Sequence, residues 1–97
     1  MAELLGRKVV VTTEYRGVFF GTLSEYDRGV RSCTLLNGQN CLRWPRDNRG
    51  FLGLAKDGPL DGARVGPAVE SVELTGVTSL TPATEDAARK WEACPWS

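Results

Sequence analysis

Apolar and polar positions alternate along the first half of the chain in short runs bounded by Gly, Asp and Asn, the pattern of strands and tight turns. Arg7–Thr13 (RKVVVTT) is rich in β-branched residues and predicts a first strand. Glu14–Gly17 supplies a turn, and Val18–Tyr26 (VFFGTLSEY) predicts a second strand in which Gly21 marks a bend or bulge. Asp27-Arg28-Gly29 forms the next turn, and Val30–Leu36 a third strand. Asn37-Gly38 reads as a type I′ hairpin turn, because both residues tolerate positive φ. Gln39–Trp44 then returns as a fourth strand, ended by Pro45, which cannot donate to a ladder. That two-residue loop would pair Leu36 with Gln39 and Cys33 with Leu42. Cys41 then faces away from Cys33, so no disulfide joins them.

The alternation stops at Pro45. Residues 45–67 hold five Gly and three Pro in 23 positions without a clear period. Phe51, Leu52, Leu54 and Val65 need somewhere to pack, which predicts an ordered insertion in contact with a ligand or partner, or a loop that covers a barrel mouth. Val69–Leu74 and Val77–Leu80 predict two short strands joined at Thr75-Gly76. Thr81 is placed as an N-cap and Pro82 as the first helical residue of a short C-terminal helix, about 82–93, stopped by Pro95. Ala87, Ala88 and Trp91 form its apolar stripe, with acidic residues early and basic residues late, as the helix dipole favours. The expected fold is mostly β: a small bent barrel of five to six strands with a long Gly/Pro-rich insertion and a short helix, all in one domain over 1–97.

Composition narrows the chemistry. Charged groups balance at twelve and twelve, so no net field draws in polyanions. The balance is uneven along the chain: residues 1–69 carry ten basic and seven acidic groups, residues 70–97 two and five. Nine of the twelve cations are Arg, which suits bidentate contacts to carboxylate or phosphate. There is no His, which removes imidazole acid–base catalysis and most zinc sites, and Cys33, Cys41 and Cys94 show no C-x-x-C pairing. No metal or other cofactor is expected. No apolar run has the length of a signal peptide or membrane span, so free thiols in a cytoplasm are expected.

Gly21–Asp27 (GTLSEYD), preceded by VVVTT and Phe19, resembles the first motif of Sm-like proteins, and Leu74-Thr75-Gly76 with Val77 and Leu80 resembles the second. The resemblance implies an Sm-like (SH3-like) barrel that assembles into rings, hence a homo-oligomer. The Asn that contacts a base in Sm proteins falls near Arg31, and the Arg of the second motif is Thr75; only Asp27 matches. The stretches YRGVFFG, NCLRWP, RVGPAV and WEACPW also resemble a family of short phage and prophage proteins. That likeness implies action in a host cytoplasm by occupying a host molecule, such as a nucleotide immune signal, in an anti-defence role.

The densest chemistry lies at Arg43, Trp44, Arg46, Arg49 and Phe51, with Lys56 and Arg64 beyond. Guanidinium groups fork onto phosphate oxygens and aromatic faces stack on bases, so this set is the candidate site for a small nucleotide-type ligand. In the alternative assignment Trp44 fills the core, Phe51 plugs the barrel, and the arginines are solvated or paired with Asp47, Asp57 and Asp61. No P-loop or dinucleotide fingerprint occurs. Glu14, Glu25 and Asp27 are the only acidic group near a barrel mouth, and no nucleophile–base pair accompanies them, so no catalytic residue is assigned. A non-enzymatic, homo-oligomeric nucleotide binder is expected. An RNA or single-stranded nucleic-acid binder is the runner-up, disfavoured by zero net charge, and a structural or partner-binding protein is the third reading.

Overall fold

A computed structural model describes residues 4–14 and 17–94 of the chain. The expected turn at Glu14–Gly17 lies partly, and Pro95 wholly, outside the described residues. Among the described residues six antiparallel strands form one bent sheet. β1 (Lys8–Thr13) pairs with β2 (Gly17–Asp27) on one edge and with β6 (Val77–Pro82) on the other. β2 pairs with β3 (Ser32–Arg43), whose far edge is shared between β5 (Val69–Thr75) along its first half and β4 (Arg64–Val65) at its end. Only Gly76 separates β5 from β6, so the chain passes in one residue from the β3 edge to the β1 edge and curls the sheet into a barrel.

β3 corrects the sequence reading. Asn37-Gly38 is not a hairpin turn, and the predicted third and fourth strands are one continuous strand. Asn37 does take the positive φ expected of it, 55°, but inside a bulge. Phe20 faces Gln39 and Thr22 faces Leu36, so two steps on β2 span three on β3. Gly21 sits opposite the extra residue, where a Cβ would lie 2.9 Å from Leu35 Cβ and 3.0 Å from the Leu36 carbonyl oxygen. Partners on both edges of β3 override the local turn signal. Cys33 consequently pairs with Tyr26 and Leu74, not Leu42. The cysteines still occupy opposite faces: Cys33 lies in the barrel and Cys41 outside it, both as free thiols.

The strand faces build two cores. Val9, Val11, Leu23, Cys33, Leu35, Leu74 and Val77 fill the barrel. Val10, Val18, Phe20 and Cys41 point outward and are covered by α1 (Phe51–Lys56), β4 and α2 (Glu85–Ala93). The valine run of β1 is thus buried on both faces. Trp91 is the centre of the outer core, with its indole stacked on Phe20 at 5.0 Å and 6° and its Nε1 donating to the Leu54 carbonyl at 3.0 Å.

α2 begins later than the sequence suggested. Thr81 and Pro82 remain in β6, opposite Val10 and Val9, and Thr84 is the N-cap, its Oγ1 accepting from the Ala87 amide at 3.0 Å. The same hydroxyl donates to the Lys56 carbonyl at 2.7 Å, which ties the end of α1 to the start of α2.

The insertion is ordered. A 3-10 turn (Arg46–Asn48) leads into α1, and the buried Asn48 holds it to the loop beyond α1, donating to the Gly58 carbonyl at 2.8 Å and accepting from the Leu60 amide at 3.2 Å. Gly53 is required in α1, because a Cβ there would stand 1.5 Å from the Asn48 carbonyl oxygen. No helix among the described residues is long and apolar enough to cross a membrane.

Candidate functional site

Docking the insertion against α2 leaves an open cleft of about 1080 Å³ outside the barrel. Its walls come from the end of β3 (Arg43), the turn after it (Pro45, Asp47), the loop and strand Pro59–Arg64, and the last turn of α2 (Lys90, Ala93, Cys94). Each charge is positioned by structure beneath it. Arg43 and Arg64 are directly opposed across β3 and β4. Asp47 rides on the 3-10 turn whose next residue, Asn48, is anchored to the loop that carries Asp61. Lys90 precedes the buried Trp91 and is set at the rim by the docking of that indole.

Arg43, Lys90, Asp47 and Asp61 take part in no ion pair among the described residues, whereas Lys8–Glu92, Arg31–Glu14 and Arg89–Asp86 are paired there. The cleft therefore presents several uncommitted charges of both signs to one volume.

Of the residues singled out in the sequence, the structure brings Arg43 and Arg64 together and separates the rest. Trp44 and Phe51 are partly buried and pack against the outer core, so neither offers its face to the cleft. This fits the alternative assignment for Trp44, whereas Phe51 packs outside the barrel rather than in its mouth. Arg46, Arg49 and Lys56 are exposed on the 3-10 turn, just after it, and at the end of α1, away from the cleft wall. Lys90, Asp47 and Asp61 were missed as site residues. The signal for Lys90 was the stripe Ala87, Ala88, Trp91, which fixes the neighbouring residue at the edge of the docked face.

A second hollow of about 450 Å³ lies along β6, lined by Tyr26, Arg28 and Arg31 with Val77–Leu80. Here the candidate acidic group disperses. Glu14 pairs with Arg31 at 2.7 Å, Asp27 Oδ1 accepts from the Gly29 amide at 2.9 Å and so shapes the turn, and Glu25 lies exposed on β2. Burial pushes the Cys33 and Cys41 thiols up to about 11, and Cys94 is raised by the same cause, so all three are protonated at neutral pH and poor nucleophiles.

A curled antiparallel sheet with this strand order is an Sm-like barrel. The chain belongs to the family described as domain of unknown function DUF6948, which it matches over residues 6–91. Its fold is similar to the crystal structure of a heptameric archaeal Sm protein, with a TM-score of 0.55 and 15 % identity over 86 % of this chain and 94 % of that one. The SmAP1 heptamer of P. aerophilum is similar to the same degree, at TM-score 0.55 and 15 % identity over 86 % of each chain. Among curated proteins no match was found.

Proposed function

We propose that the protein is a homo-oligomeric, non-catalytic binding protein that holds a small nucleotide-type ligand by its phosphate. The observation that carries this reading is the meeting of Arg43 and Lys90, neither in an ion pair among the described residues, at one cleft. Phosphate oxygens would meet the Arg43 guanidinium fork and the Lys90 ammonium, a charge-assisted arrangement roughly twice as strong as neutral hydrogen bonding. Trp44 and Phe51, packed against the outer core, leave the base to rest on the proline and aliphatic walls rather than on a stacked ring. With no activated thiol and no imidazole in the chain, the ligand would be held intact.

Oligomerisation is supported by two strand edges. Among the described residues β5 pairs only with β3 and β6 only with β1, so each offers an edge to a second copy. Both similar structures are heptamers. Native mass spectrometry of protein purified from cells would then show a multiple of 10.6 kDa with retained small ligand; a bare monomer at micromolar concentration refutes the assembly. In calorimetric titration with nucleotides, Arg43→Ala should weaken binding about 10- to 150-fold, from the strength of one charged hydrogen bond.

A second reading, an Sm-like RNA binder, is favoured by the hollow at Tyr26, Arg28 and Arg31. It would be recognised by RNA affinity that falls steeply with salt and is lost in Arg28→Ala and Arg31→Ala while Arg43→Ala leaves it intact.

A further inference from the structure

Resting on the nucleotide reading of the Arg43 cleft, we infer that Asp47 and Asp61 select a nucleoside phosphate against a nucleic-acid chain by accepting hydrogen bonds from the ribose hydroxyls. The two carboxylates face the same cleft as Arg43 and Lys90 and form no ion pair among the described residues. An ionised carboxylate only accepts hydrogen bonds, so a ligand group that meets it must donate. A nucleoside phosphate separates an anionic end from a donor-bearing end, matching a cleft that holds cations and carboxylates together. A phosphodiester chain instead repeats its anionic acceptors along its length and would carry some of them onto the carboxylates.

The separation of the two acids is fixed by the fold. Asp47 precedes Asn48, and the Asn48 side chain grips Gly58 and Leu60, the latter adjacent to Asp61. The backbone segments that carry both acids are therefore tied by one buried amide, so their spacing is set before a ligand arrives and less ordering cost falls on binding.

Calorimetry on the full chain tests this with three probes: adenosine monophosphate, its 2′,3′-dideoxy analogue, and a single-stranded oligoadenylate. The wild type should bind the ribonucleotide about tenfold or more tightly than the dideoxy analogue, the value of one hydrogen bond to a charged group. In Asp47→Asn/Asp61→Asn, a near-isosteric change checked for folding by circular dichroism, that gap should shrink to about threefold or less, and oligoadenylate should bind more tightly than to the wild type. An unchanged gap in the double variant overturns the inference, as does a wild type that prefers the oligonucleotide. Arg43→Ala separates the two levels. Arg43-dependent nucleotide binding with no effect of the Asn changes sinks this inference alone, whereas no binding of adenosine monophosphate by the wild type removes both.

Discussion

The barrel interior and the outer core use opposite faces of the same strands but are closed in different ways. Inside, Val9, Val11, Leu23, Cys33, Leu35, Leu74 and Val77 are all strand residues, gathered by ladders that also satisfy the backbone. Outside, Val10, Val18, Phe20 and Cys41 are covered by Leu54, Ala55, Val65, Ala87, Ala88 and Trp91, brought from distant segments. The sheet thus closes through repeated hydrogen bonds, whereas the outer layer is held by a few long-range contacts. The candidate cleft lies at the seam of that outer layer, so its geometry depends on the less redundant half of the molecule.

The largest test of that contrast is Trp91→Ala. It removes the stack on Phe20 and the bond to Leu54, and should cost about 3–5 kcal/mol in urea unfolding. Leu35→Ala in the barrel should cost a comparable 2–5 kcal/mol, roughly, but with a different distribution. In Trp91→Ala the amides of α1 and α2 should lose hydrogen-exchange protection while the β2–β3 ladder keeps its own; in Leu35→Ala all should lose it together. Simultaneous loss in both variants would show that the two cores form a single cooperative unit.

Cysteines provide a probe in each core. Cys33 and Cys41 have thiols raised from 9.0 to about 11 by burial. The unfolded chain therefore releases these protons first as pH rises, and the stability they contribute is whole below about 9 and lost on the way to about 11. A rise from 9.0 to about 11 corresponds to on the order of 2–3 kcal/mol per thiol. Stability measured from pH 8 to 11 should fall, and Cys33→Ala and Cys41→Ala should each flatten the slope by about half. A flat profile in the wild type would mean that neither thiol is shielded from water.

Asn48→Ala should act on the outer layer only, at about 1–3 kcal/mol, because it strands the Gly58 carbonyl and the Leu60 amide. Its sharper consequence is loosening of the Asp47 turn against the Asp61 loop. Proteolytic nicking within 57–63 should rise well before the sheet is attacked, and unchanged susceptibility would show that Asn48 does not hold the two together.

The same contrast governs what the sequence discloses. The barrel was legible because strand alternation writes its interior into local runs, as in VVVTT and GTLSEYD. The misreading at Asn37-Gly38 arose where a correct local property, tolerance of positive φ, serves a bulge in a strand paired on both edges. α1 was not legible: FLGLAK is too short to display a period and contains Gly53, and it is helical because Leu54 and Ala55 are buried beneath α2. The site followed suit. Arg43 and Arg64 could be suspected from an arginine-rich segment, but Trp44 and Phe51 were needed by the core, and Lys90 joins only through docking of a helix from the far end of the chain.

The smallest expected effect sharpens the boundary between the layers. Thr84 caps α2 through the Ala87 amide and donates the same hydroxyl to the Lys56 carbonyl, while its own amide donates to the Ala55 carbonyl at 3.0 Å. Thr84→Ala removes both side-chain bonds and leaves the backbone bond in place. Loss of an N-cap costs about 0.5–2 kcal/mol, with about 1 kcal/mol typical, and the exposed Lys56 carbonyl can turn to water with little added cost. Thr84→Ser keeps the hydroxyl and should recover most of the loss, whereas Thr84→Val keeps the shape without it and should behave like Ala. If Thr84→Val matches the wild type in chemical denaturation, α2 is held by the packing of Trp91 alone and its cap contributes nothing.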